Sequence, residues 1–146
     1  YETKLNGTRI SQEIVEQGNA VAVLAIDDGY VILVNEFRYP VGHVLEIPAG
    51  NVDKGETPLK CAKRELLEET NLQGRVTNLL GTCSHFNSVF GDILLIGMEV
   101  QIEDWLSLKA GDDAEEAILF PFDELPKLAF PCHEKIVNMY RKKSLS

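Results

Sequence analysis

Apolar residues run almost unbroken from Ala20 to Ile26 behind Asn19, the pattern of a strand buried on both faces rather than one alternating between core and solvent. Asp27-Asp28-Gly29 interrupts it with turn chemistry, and Tyr30 to Arg38 resumes in β-favouring residues, so the two segments predict a hairpin. Val44 to Ile47 reads as a short third strand leading into a turn-rich loop that ends at Glu56. From Thr57 the period becomes helical. Thr57 is a candidate N-cap, Pro58 suits the first turn, and Leu59, Ala62, Leu66 and Thr70 mark an inner face with the glutamates on the other side. Further strands are expected within Gly74–Ser84, over Asp92–Ile102 and over Ala117–Phe122, the last at a sheet edge because Pro121 has no N–H to give a ladder. Asp123-Glu124-Leu125-Pro126 reads as a turn or short helix. His133 to Lys143 places Ile136, Val137 and Tyr140 on one face and basic residues in its last turn, which predicts a C-terminal helix. Residues 1–19 are polar and weakly patterned, with one candidate strand from Thr8 to Val15.

Strands dominate and two helices are available to cover a sheet, so the expected class is α/β or α+β. The length of 146 residues suits one domain, 1–146, and the sequence shows no repeats, low-complexity stretches or linkers. A net charge of −9 argues against nucleic-acid and anionic-membrane partners. No apolar run approaches ~20 residues, so no membrane span is expected. No signal-peptide pattern opens the sequence, which begins at Tyr1, and a cytoplasmic protein is expected. Cys61, Cys83 and Cys132 are odd in number and lack zinc-ligand spacing, so they read as reduced thiols. His43, His85 and His133 are isolated and read as structural or surface residues.

The candidate chemistry lies between Gly50 and Leu72. Glu56, Glu65, Glu68 and Glu69 are spread over a loop and the helix after it, with Arg64 among them. At ~100° per residue, Glu65 and Glu69 fall about 40° apart on one helical flank, with Glu68 one step round. Carboxylates converging there repel unless a cation neutralises them, and hard divalent ions such as Mg²⁺ and Mn²⁺ prefer oxygen ligands of this kind. An acidic helix face by itself is commonly solvated surface. The preceding loop, Pro48-Ala49-Gly50-Asn51-Val52-Asp53-Lys54-Gly55-Glu56, has a backbone able to approach a ligand closely, and this favours a site.

The spacing resembles the Nudix box, G-x5-E-x7-R-E-U-x-E-E-x-G-U with U a bulky aliphatic residue. Gly50, Glu56, Arg64, Glu65, Leu66, Glu68, Glu69 and Leu72 match; Asn71 stands where the family has glycine, and asparagine is the next best residue for a left-handed helix end. Outside the box, Ile14 to Leu24, Val31 to Arg38, Leu45 to Gly50 and Glu116 to Leu125 are similar to ADP-ribose pyrophosphatases, so the resemblance spans roughly residues 8 to 140. The proline that such enzymes usually carry some fifteen residues beyond the box is absent from Ser84-His85-Phe86-Asn87-Ser88-Val89-Phe90-Gly91.

The resemblance implies an α/β/α sandwich around a mixed curved sheet, and Mg²⁺-dependent (or Mn²⁺-dependent) hydrolysis of a nucleoside diphosphate linked to another group, ADP-ribose or another ADP-sugar being favoured. It assigns the Ala49 carbonyl, Glu65 and Glu69 to the metal, Glu68 to the metal or to general-base catalysis, and Arg64 to orienting the glutamates. Gly50 and Glu56 are structural in the motif, Glu56 bracing the loop or binding an additional metal. Arg38 and Glu46 are assigned to substrate, a surface role remaining open for Arg38. The general base falls on Glu68 or, from the loop before the last strand, on Glu115 or Glu116, with Glu116 preferred. Phe37, Tyr39, Phe86 and Phe90 are candidates to stack on adenine or to pack in core and loops. A homodimer through residues 1–18 is the partner implied besides the nucleotide substrate. The rival readings are a hydrolase of nucleoside triphosphates or dinucleoside polyphosphates, and a catalytically silent nucleotide sensor.

Overall fold

The apolar run behind Asn19 forms β1 (Asn19–Asp27), buried throughout except at its two ends, in a computed structural model that describes residues 19–88, 91–111 and 114–145, with backbone only for 85–88, 91 and 92. It is followed by β2 (Tyr30–Arg38), β3 (Gly42–Glu46), β4 (Ala49–Asn51), helix α1 (Pro58–Thr70), β5 (Gly74–Ser88), β6 (Gly91–Ile102), a 3-10 turn at Trp105–Ser107, β7 (Ala114–Pro121), a 3-10 turn at Phe122–Glu124 and helix α2 (Pro131–Ser144). The candidate strand from Thr8 to Val15, the proposed dimer segment, Phe90 and the Phe86 side chain lie outside the described residues. Among those described, no helix is long and apolar enough to cross a membrane.

The strands make one mixed sheet in the order β3-β2-β1-β6-β5, with β4 also on β1 and β7 on β2. The β1–β6 pair is parallel and the remaining pairs are antiparallel. Alternation along β1 divides the core between two layers. Val21, Val23 and Ala25, with Ile32 of β2, pack against Cys61, Ala62 and Leu66 of α1. Ala20, Ala22, Leu24 and Ile26 pack with Cys132, Ile136 and Val137 of α2. Each fully buried Val, Leu or Ile contributes about 1.5–3 kcal/mol, so two apolar layers on one central strand account for the α/β/α sandwich.

Four expectations need correction. The β1–β2 hairpin survives only at its turn, with Ile26↔Val31 and Asp27↔Tyr30 as its residue pairs. Beyond these, β1 gives that edge to β4 and β2 gives its own to β3, so the strands part and the sheet opens into two wings. The strand expected from Ala117 begins at Ala114, which carries Glu115 and Glu116 into β7. Leu59 is exposed, whereas Glu65 and Glu69 are buried on the inner side of α1. Lastly, Cys83 of β5 and Cys132 in the first turn of α2 form a disulfide, their Cα atoms 5.8 Å apart, so two of the three thiols are paired and only Cys61 is free. That pairing removes the thiols as support for a reducing compartment.

Candidate active site

Local chemistry sets the frame. Thr57 accepts a hydrogen bond from the Lys60 amide at 3.2 Å, capping α1. The helix ends at Asn71, which takes up the left-handed conformation with φ 61°. Its side chain donates to the Ser107 carbonyl at 2.9 Å, a bond the family's glycine lacks. In the loop before the helix, Glu56 accepts from the Asp53 amide at 3.0 Å, so it braces the turn.

Arg64 holds the acidic side chains of the loop and helix in place. Its guanidinium donates to both Glu56 oxygens at 2.7 and 2.9 Å, to Glu65 at 2.8 Å, to Glu68 at 3.0 Å and to the Asn51 carbonyl at 3.0 Å. A planar fork with five donors is what this multiple grip requires. The Arg64 hydrogen bonds pull the Glu56 carboxyl down to about 2, and Arg64 itself is held above its ordinary value, first by Glu56. Gly50 lies against the helix: a Cβ there would overlap the Glu65 carboxylate. The Cys61 thiol, 3.5 Å from the Asn51 carbonyl, is pushed up to about 12 by burial, so it stays protonated and inert.

A second group of charges comes from the sheet. Ile32 faces α1, so alternation turns Val34, Glu36 and Arg38 to the same side, and the Val34↔Glu46 pairing brings Glu46 with them. Arg38 is therefore partly buried, with 33 % of its side chain still exposed. It donates to the two Glu46 oxygens at 2.8 and 3.1 Å and to Glu36 at 3.4 Å, and it lies over the Phe130 ring at 5.9 Å. The paired hydrogen bond with Glu46 raises Arg38 above its usual range. Glu36 is 4 % exposed and Glu46 fully buried.

Between these groups sits Glu69, 5 % exposed, whose Oε1 makes no hydrogen bond among the described residues. Burial, then the charges of Glu36, Glu65 and Glu46, push its carboxyl up to about 9, against a hydrogen bond from the Ala49 amide that works the other way. An orphaned buried carboxylate oxygen in a surplus of negative charge fits a hard divalent cation with oxygen ligands. As they stand, no three acidic, thiol or imidazole side chains among the described residues surround a common point. Arg64 and Arg38 each draw the carboxylates toward themselves.

Glu115 and Glu116 are not brought to this cluster. Glu116 is paired with Asn35, on the face opposite Glu36, and accepts from its amide at 3.0 Å. Glu115 is 3.4 Å from His43. Phe37 and Tyr39 are exposed, so neither is core.

Two buried groups near the cluster carry no sequence signal of their own. Glu36 lay within a matching stretch, and only strand alternation from Ile32 would have placed it. His133 is 5 % exposed in the first turn of α2, edge-on to Phe130 with centroids 5.3 Å apart, and its Nδ1 has no partner among the described residues. Burial holds its imidazole down at about 4, from an ordinary 6.5. The unfolded chain therefore takes up this proton first, and folding stability falls as pH drops from 6.5 toward 4. His133→Leu is expected to remove a few kcal/mol at most of that acid-side loss, read as a flatter midpoint-against-pH curve in denaturant melts.

Comparison with known proteins gives a consistent result. Residues 16–140 match the model of the NUDIX domain. An ADP-ribose pyrophosphatase of Methanocaldococcus jannaschii is 35% identical over 162 residues, covering 97% of this chain and 90% of that protein. An ADP-ribose pyrophosphatase of Bacillus subtilis is 51% identical over 67 residues, 44% of this chain and 36% of its own length. Among solved structures, a NUDIX hydrolase from Nitrosomonas europaea superposes with a TM-score of 0.77 at 23% identity, over 86% of this chain and 89% of that one, a likeness of fold.

Proposed function

Because this chain belongs to the Nudix hydrolase family, we propose that it splits the pyrophosphate bond of a nucleoside diphosphate joined to a sugar, ADP-ribose or another ADP-sugar, with Mg²⁺ or Mn²⁺. The observation that carries this is the buried oxygen of Glu69, without a partner among the described residues and set among surplus carboxylates, which a divalent cation satisfies. The name of the Methanocaldococcus relative, similar along 97% of this chain, supports the choice of substrate.

In this reading Glu65, Glu69 and the Ala49 carbonyl hold the cation, with Glu68 beside them. A divalent cation, when bound, neutralises diphosphate charge and acidifies a coordinated water. Glu68, the most exposed of the three helix glutamates and anchored to Arg64 at 3.0 Å, takes the water's proton as oxygen adds to phosphorus. The bridging P–O bond breaks, and the departing phosphate carries the electron pair and is protonated from solvent. Products are a nucleoside monophosphate and a sugar phosphate. Arg64 orients the glutamates, Glu56 and Gly50 keep the loop against the helix, and Arg38, aligned by Glu46, meets substrate phosphate. Glu116 faces away from the cluster and has no step here; a homodimer through residues 1–18 belongs to the same proposal.

The proline-free stretch Ser84 to Gly91 favours a second reading, hydrolysis of nucleoside triphosphates or dinucleoside polyphosphates. Incubation with Mg²⁺ and ADP-ribose, NADH, diadenosine polyphosphates and oxidised nucleotides separates the two. Turnover of ADP-ribose with release of AMP is expected; turnover confined to triphosphates overturns the substrate assignment.

A further inference from the structure

The segment that leads the chain into α2 has no regular structure, yet it is fastened at successive residues. Leu128 is buried, and its amide donates to Glu134 at 3.2 Å. The Ala129 amide donates to the Leu45 carbonyl of β3 at 3.1 Å. The Phe130 carbonyl accepts from the His133 amide at 3.0 Å as α2 begins, and Cys132 is bonded to Cys83 of β5. Phe130 is thereby held against two groups. The His133 ring meets it edge-on, with centroids 5.3 Å apart, and the Arg38 guanidinium lies over its ring at 5.9 Å. Leu45, to which Ala129 is bonded, is the chain neighbour of Glu46. One segment therefore fixes the backbone beside Glu46 and covers the guanidinium that Glu46 grips at 2.8 and 3.1 Å.

We propose that Phe130 is a positioning residue for Arg38, its ring setting the tilt of the guanidinium and hence how Arg38 meets the substrate's diphosphate. This rests on the hydrolase reading above and deepens it, since Phe130 lies far beyond the box in the chain. The physical division of labour is simple. Paired in-plane hydrogen bonds fix the edge of a guanidinium but act weakly on its tilt, whereas an aromatic ring against the face acts on tilt directly. A guanidinium set in advance loses less freedom when phosphate arrives. Phe130 acts through Arg38 rather than on the reacting atoms, so its loss weakens substrate binding more than the chemical step.

Steady-state hydrolysis of ADP-ribose with Mg²⁺ by wild type, Phe130→Leu and Phe130→Tyr tests this. Leucine keeps apolar bulk and removes the π face; tyrosine keeps the face. KM is expected to rise about fivefold in Phe130→Leu with kcat little changed, and Phe130→Tyr to keep the wild-type KM. Thermal midpoints, read alongside, report packing. A lower midpoint of Phe130→Leu at unchanged KM assigns the ring to packing alone and overturns the proposal. So does a loss of kcat at constant KM, or an equal rise of KM in both variants; each leaves the hydrolase reading intact. A wild type inert toward ADP-ribose overturns the substrate reading and this proposal with it. Should Phe130→Leu not fold, Phe130→Met is held to the same KM criterion.

Discussion

Glu69→Gln is expected to cut turnover roughly a thousandfold and at the same time to make the cation-free protein more stable. The two effects share one cause. Glu69 is buried beside Glu36, Glu65 and Glu46, and its carboxyl holds a proton up to about pH 9. Because its folded value exceeds its unfolded one, the stability it contributes is complete below pH 4.5 and is lost as pH climbs toward 9. A neutral amide removes that slope, because folding no longer has to draw a proton onto Glu69, for a gain on the order of 1 kcal/mol near neutrality. Thermal melts across pH in a chelating buffer, paired with Mg²⁺-dependent AMP release, give both readouts. Unchanged turnover would favour the silent sensor; a less stable variant would show that the surplus charge is not there.

Arg64→Ala is expected to act in the opposite sense on the fold, costing about 3 kcal/mol because partly buried carboxylates lose their shared counter-charge. Glu56 supplies a check. Its carboxyl lies near 2 in the native state, so the stability it gains from Arg64 is present above pH 4.5 and disappears as pH falls toward 2. The gap between wild type and variant should therefore narrow over that range. Arg64→Lys should not restore the difference, since one ammonium cannot span the Glu56 fork while also holding Glu65 and Glu68. Urea unfolding at several pH values measures all of this, and full recovery by lysine would refute the multiple grip.

The parts of the molecule legible in the sequence are those whose causes are local. Thr57, Pro58 and Asn71 specify where α1 starts and stops, and they do so in the structure. The box spacing located the loop and helix for the same reason. Sequence patterning failed where distant segments decide. Placing charged residues outward is the ordinary rule for an amphipathic helix, yet Glu65 and Glu69 turn inward, where Gly50 leaves room for the Glu65 carboxylate and Arg64 holds it. The β1–β2 hairpin looked complete because Asp28-Gly29 is a strong turn, but β4 and β3, which arrive later in the chain, claim the edges. Three cysteines allow three pairings, and only folding brings Cys83 and Cys132, 49 residues apart, into contact. The resemblance points to Glu116 through its place before the last strand, whereas the face of β7 that carries it is set by the pairing with Asn35.

The irregular stretch after the Trp105–Ser107 turn is more constrained than its lack of regular structure suggests. Lys109 donates its amide to the Thr70 carbonyl at 2.9 Å, Gly111 donates to Glu69 at 3.1 Å, and the Ser107 carbonyl receives the Asn71 side chain. The last carbonyls of α1 are thus closed off by a segment that the chain reaches almost forty residues later. Added or deleted residues between Ser107 and Gly111 would strip those carbonyls of their partners and shift the end of the helix that carries Glu69. Length polymorphism, ordinarily tolerated in surface connections, is excluded from this one.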